Sequence, residues 1–197
     1  MIICVFGDST ALGAWDLEKG GWVNRLWLYL ANKDSETDVY NLSISGGTSQ
    51  TILDRFESEA KTREANMLIF QTGGNDAAYE RTEDNHQVSP DKFRTNLEEI
   101  IKRAKGMTQN IVFIGFKNCD ESKTMPVSWH DIYYTNKDIK TYNQIMKEVC
   151  EKNNVLFLDV FGILDNNDFE DGLHPNASGH HKLFEKVKNF LEKKFNL

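Results

Sequence analysis

Proline and cysteine are scarce in this chain, three of each among 197 residues. With so few prolines, and no low-complexity tract or repeat, no stretch reads as an interdomain linker. The expectation is a single domain over 1–197. Cys4, Cys119 and Cys150 are an odd number and form no Cys-x-x-Cys pair. They suit free or buried thiols in a reducing compartment, and the expected location is cytoplasmic. No apolar run reaches the ~18 residues of a membrane span, and no basic leader precedes the first apolar run at Ile2, so a secretory signal is not expected. Basic residues are also short: 23 Lys and Arg against 30 Asp and Glu give a net charge of −7. Nucleic acid and anionic membrane surfaces are thereby disfavoured as partners, because both require a basic footprint. A small uncharged or cationic ligand is not. Also missing are a Gly-x-Ser-x-Gly elbow, a Walker loop, a Gly-x-Gly-x-x-Gly turn and a His-Glu-x-x-His helix.

What is present is alternation. Short apolar runs at 2–6, 38–42, 67–71, 110–115 and 155–159 read as strands of a parallel sheet covered on both faces. Helical stripes lie between and after them: Trp22, Val23, Leu26, Trp27 and Leu30; Phe93, Leu97, Ile100, Ile101 and Ala104; Ile139, Tyr142, Ile145, Val149 and Cys150; Leu183, Phe184, Val187, Phe190 and Leu191. Ser89-Pro90 reads as a helix start, with serine as cap and proline in the first helical position. The pattern predicts a three-layer α/β/α domain built on five parallel strands.

Open sheets of this kind bind ligands beyond the carboxyl ends of their strands. There the chain concentrates its polar and glycine residues: Asp8 and Ser9 after the first strand, Ser45, Gly46 and Gly47 after the second, Gly73 to Asp76 after the third, and Asp171 with His174 beyond the fifth. Serine is a poor nucleophile until an imidazole takes its proton, and a carboxylate orients that imidazole. Ser9 is the candidate nucleophile, leaving its strand through Gly7. His174 is the candidate base and Asp171, three residues before it, the candidate orienter. The N–H groups of Ser9 and Gly46 and the side-chain amide of Asn75 are candidate donors to an oxyanion. Each piece has a plainer reading: Asp8 or Ser9 as a turn cap, Asp171-x-x-His174 as a cation-binding turn, the glycines and Asn75 as ordinary turn residues. Asp76 reads as structural, and His180 and His181 as solvated or capping residues of the last helix. Four separated segments meeting on one rim favour the catalytic reading.

Gly7-Asp8-Ser9, Gly46, Gly74-Asn75-Asp76 and Asp171-x-x-His174, in this order, resemble the SGNH hydrolases, also called GDSL esterases and lipases. The likeness covers nearly the whole chain, and 171–179 is its most specific part. Ser43 and Thr10 depart from the residues many members carry, with no consequence expected for catalysis. The resemblance implies a flavodoxin-like sheet, a shallow, flexible site, hydrolysis of a small-molecule ester or thioester through an acyl-serine intermediate, and no metal or organic cofactor.

Loops 77–88 and 117–137 are expected to shape the substrate site. The second carries Met125, Pro126, Trp129, Tyr133 and Tyr134, which could grip an acyl chain, stack on a sugar or pack as a lid. No strongly apolar lid is visible, which favours a short acyl chain, acetyl included. Lysophospholipase, thioesterase and acyltransferase activities remain alternatives on the same residues, as does an inactive ligand-binding module of the same fold.

Overall fold

The computed structural model describes residues 1–34 and 36–197. Five of the apolar runs form one parallel sheet: β1 (Ile2–Gly7), β2 (Asp38–Asn41), β3 (Met67–Gln71), β5 (Ile111–Ile114) and β7 (Leu156–Leu158), in the order β2-β1-β3-β5-β7. This is the flavodoxin-like order, in which the direction of winding switches beside the first strand. Side chains alternate across the central strands, as a period of two requires. Cys4, Phe6, Leu68, Phe70, Ile111 and Phe113 enter one core, with α3 (Ser49–Thr62), α5 (Pro90–Lys105) and α7 (Asn136–Lys152). Ile3, Val5, Met67, Ile69, Val112 and Ile114 enter the other, with α2 (Gly21–Lys33) and α8 (Ala177–Phe195). Phe70 stacks between Phe6 and Phe113 at 5.7 and 4.9 Å between ring centroids. The three-layer expectation is met, and Ser89 caps α5 with Pro90 in its first turn.

Four further short elements sit at the carboxyl edge of the sheet: α1 (Ser9–Leu12), α4 (Gly74–Ala77), α6 (Glu121–Thr124), and a ribbon made by β4 (Tyr79–Glu80) and β6 (Ile132–Tyr133). The ribbon joins loop 77–88 to loop 117–137, with Tyr79 and Tyr133 stacked at 5.1 Å. Cys119, Val127 and Tyr134 are buried against Ala78, Phe116, Ile139 and Leu173. Loop 117–137 is therefore partly a core segment. All three cysteines are free and buried.

Two helix-face expectations need correction. Trp27 is 40% exposed, because α2 turns it away from the sheet. His180, expected at the surface, is fully buried. Its Nδ1 accepts the Trp22 N–H at 3.3 Å and its Nε2–H donates to the Ala14 carbonyl at 3.0 Å. The start of α8 lies close against its surroundings: a Cβ on Gly179 would fall 2.4 Å from the Asp168 carbonyl oxygen.

Burial holds the His180 imidazole down to about 4, and this outweighs the Ala14 hydrogen bond. In the unfolded chain it titrates near its ordinary ~6.5. Between these values the unfolded state binds a proton that the folded state does not. The His180 contribution is thus complete above pH ~6.5 and falls away toward pH 4, by up to roughly 3 kcal/mol. Denaturant titrations from pH 7.5 to 4.5 should show a pH slope steeper by about one proton in the parent than in His180→Gln. Equal slopes would refute the assignment.

Candidate active site

Ser9 stands at the junction of β1 and α1. Asp8 caps the helix, its Oδ1 accepting the Thr10 N–H at 2.8 Å. As the first helical residue, Ser9 has an N–H without an intrahelical acceptor. Gly7 is required here for space rather than for a turn: a Cβ would lie 2.5 Å from the Ala11 Cβ and 2.9 Å from the Gln71 carbonyl oxygen. The strand can thus run straight into the helix while its neighbours close in on both sides.

The Ser9 Oγ lies 2.9 Å from His174 Nε2, and His174 Nδ1 lies 2.7 Å from Asp171 Oδ2. The Asp171 side chain is itself fixed by the turn that carries it. Oδ1 accepts the N–H groups of Leu173 and His174 at 2.9 and 2.7 Å. Burial raises the Asp171 carboxyl, but the hydrogen bonds from the His174 ring and backbone and from Leu173 outweigh it and bring it down to about 2. Asp171 is therefore ionised throughout the neutral range. That charge favours the imidazole tautomer with its proton on Nδ1, which leaves Nε2 free to accept from Ser9.

The glycine and asparagine segments reach the same rim. The Ile44 N–H donates to the Gly7 carbonyl at 3.0 Å, which brings the 43–47 turn alongside the end of β1. Gly46 is exposed, has φ +72°, and its Cβ position is open space. Here glycine serves backbone conformation, not room. Asn75 donates from Nδ2 to the Gly47 carbonyl at 3.0 Å. Asp76 behaves as the sequence suggests: it accepts from the Ser49 N–H and hydroxyl, from Thr72 and from the Gly73 N–H. It thus ties the start of α3 to the turn that bears Asn75. Burial pushes its carboxyl up in spite of these bonds. All five sequence-predicted site residues lie on this edge.

Three neighbours of the site were not foreseen in their roles. The Trp15 indole N–H donates to Asp171 Oδ2 at 3.0 Å. Trp15 is 51% exposed and holds φ +68°, an uncommon conformation for a bulky residue. Trp129 stacks on the His174 ring at 5.7 Å between centroids. Lys117 is fully buried, and its Nζ has no hydrogen-bond partner among the described residues. It sits 4.1 Å from the Phe116 ring centroid and 5.5 Å from that of Phe169. Burial pulls its ammonium down to about 8, against the opposing charges of Asp8, Cys119 and Asp171. Asp8 is shifted the other way, raised by its own burial with Lys117 as the largest opposing influence. The one sequence signal for Lys117 was position: it leaves β5 on the edge where Ser9 leaves β1.

Comparison with known proteins gives a family and a fold. The family model of the GDSL-like Lipase/Acylhydrolase family matches residues 5–182. Esterase TesA of Pseudomonas aeruginosa is 23% identical over 189 residues, covering 94% of this chain and 85% of TesA. The lipase/acylhydrolase from Enterococcus faecalis superposes with a TM-score of 0.80 at 21% identity, covering 98% of this chain and 96% of that one. A catalytic mutant of Axe2, an acetylxylan esterase from Geobacillus stearothermophilus, gives 0.76 at 17% identity, covering 95% and 92%.

Proposed function

This chain belongs to the GDSL-like lipase/acylhydrolase family and is an ester-hydrolysing enzyme, and on that footing we propose that it is a serine esterase acting through an acyl-Ser9 intermediate. The observation that carries this reading is the relay from Ser9 Oγ to His174 Nε2 and from His174 Nδ1 to Asp171 Oδ2, at 2.9 and 2.7 Å. His174 takes the Ser9 proton as the oxygen attacks the ester carbonyl. The tetrahedral oxyanion is met by the Ser9 and Gly46 N–H groups and by the Asn75 amide. His174 returns the proton to the leaving alcohol. It then takes a proton from water, which attacks the acyl-serine, and passes that proton to the departing Ser9 Oγ as the carboxylic acid is released. Asp171 stabilises the imidazolium in both halves. The hydrolase domain spans 1–197, and its three unpaired cysteines suit a reducing cytoplasm.

The substrate is a small ester with a short acyl chain, acetyl included. Loop composition supports this: 117–137 carries aromatics rather than an aliphatic run. So does the ribbon, which pins that loop to 77–88. The acetylxylan esterase among the structural relatives is in keeping with it. One observation favours a longer chain. Leu12, Ile44 and Met125 are 44–47% exposed on segments that leave the same sheet edge. A p-nitrophenyl ester series separates the two readings. The short-chain reading expects kcat/KM to be highest at acetyl or butyryl and to fall with length. A maximum at eight carbons or longer, as an order-of-magnitude divide, would favour the apolar rim as an acyl surface.

A further inference from the structure

We propose that Tyr134 is a positioning residue of the oxyanion hole, holding the Asn75 amide in the orientation that the Gly47 carbonyl selects, with an N–H toward the developing charge. The proposal rests on the assignment of Asn75 as an oxyanion donor. An asparagine amide is nearly symmetric in shape, so its two ends must be told apart by their partners. Here there are two. The Gly47 carbonyl can only accept, and Nδ2 donates to it at 3.0 Å. At the other end the Tyr134 hydroxyl donates to Oδ1 at 2.8 Å. Nδ2 carries two hydrogens, and Gly47 takes one. The second is left free for the oxyanion. A rotated amide would set Oδ1 against the Gly47 oxygen and forfeit that donor.

Tyr134 is well fixed for this task. It is 7% exposed, as is Asn75. Its N–H donates to the Thr124 carbonyl at 2.9 Å, and its own carbonyl accepts from the Thr124 hydroxyl at 2.8 Å. Its ring packs with Ala78, Phe116, Ile139 and Leu173, and it directly follows β6 of the ribbon. Burial, with the charges of Asp8 and Asp171, pushes the phenol above its ordinary range, so the hydroxyl keeps its proton. A loop expected to meet substrate thus supplies a support behind the asparagine.

The test is a double-mutant cycle read with the best p-nitrophenyl ester. Tyr134→Phe keeps the ring and removes only the hydroxyl. It should lower kcat about tenfold, the usual scale for one lost hydrogen bond, with KM changed less than about twofold. Asn75→Ala should lower kcat by ~10²–10³. In the Asn75→Ala background, Tyr134→Phe should cost nothing further, because the amide it positions is gone. Three results would each overturn the proposal. A near-parental Tyr134→Phe kcat would show that no positioning is needed. An undiminished tenfold loss in the Asn75→Ala background would show that Tyr134 acts through the fold. If Asn75→Ala itself were harmless, the oxyanion assignment would fail, and the positioning role with it.

Discussion

Ser9→Ala is expected to eliminate ester hydrolysis, with a loss on the order of 10⁶ in kcat, while the protein remains folded. The size follows from the role assigned: without the oxygen no acyl-enzyme can form, and only binding and any remaining oxyanion donors are left to accelerate attack by water. The mildness toward the fold follows from the surroundings. Ser9 is half-buried at the first position of α1, and His174 Nε2 is the hydrogen-bond partner of its Oγ among the described residues. Asp8, not Ser9, caps the helix. The stability change should stay within about 1 kcal/mol. A fluorophosphonate probe should label Ser9 in the parent, as read by peptide mapping, and should fail to label His174→Ala. Turnover retained by Ser9→Ala, or labelling at another residue, would remove Ser9 from the mechanism.

Asp171→Asn should lower kcat by about 10³–10⁴ with little change in KM. The hydrogen bonds dictate how the new amide must sit. Oδ1 accepts two backbone N–H groups, from Leu173 and His174. The asparagine oxygen must stay there, and so its NH₂ takes the place of Oδ2. That group then faces His174 Nδ1, which now has to accept. The ring proton moves to Nε2, where the imidazole can no longer take the proton of Ser9. The same NH₂ also meets the Trp15 indole N–H, donor against donor. A modest stability loss of about 1–3 kcal/mol should accompany the kinetic effect. Steady-state kinetics at neutral pH and a thermal melt check both, and a loss of less than tenfold would show that the imidazole needs no carboxylate.

The sheet could be read from sequence to within about a residue at most strand ends because its central strands are buried on both faces and so appear as unbroken apolar runs. Four helical stripes were legible for a related reason: one face of each of α2, α5, α7 and α8 meets the sheet, while α3, whose buried face is Ile52, Phe56 and Ala60, was not among them. α1, α4, α6 and the ribbon have no such signal. At two to four residues each, they exist only through contacts made by distant segments, and local propensity says little about them. The same division runs through the site. Ser9, Gly46, Asn75, Asp171 and His174 stand in motifs with fixed local spacing. Trp15 donates to a residue 156 positions away, and Tyr134 to one 59 positions away. Such pairings depend on how the loops fold over the sheet edge. His180 shows the limit from the other side: a histidine next to another histidine at a helix start carries no local mark of complete burial.

The ribbon has a further consequence for how this scaffold can be varied. Its two rungs, Tyr79 with Tyr133 and Glu80 with Ile132, divide each long loop into a root and a tip. The roots hold Ala78, Cys119, Thr124 and Tyr134, all buried. Arg81 to Asn85 and Ser128 to Asp131 form the tips and are largely exposed. New sequence, even of different length, can therefore be grafted at Arg81 to Asn85 with the clasp left closed below it, whereas the other tip must keep Trp129, which stacks on the His174 ring. The clasp thus separates an outer hairpin tip that can be exchanged from an inner part that holds Tyr134 and, through its hydroxyl, Asn75.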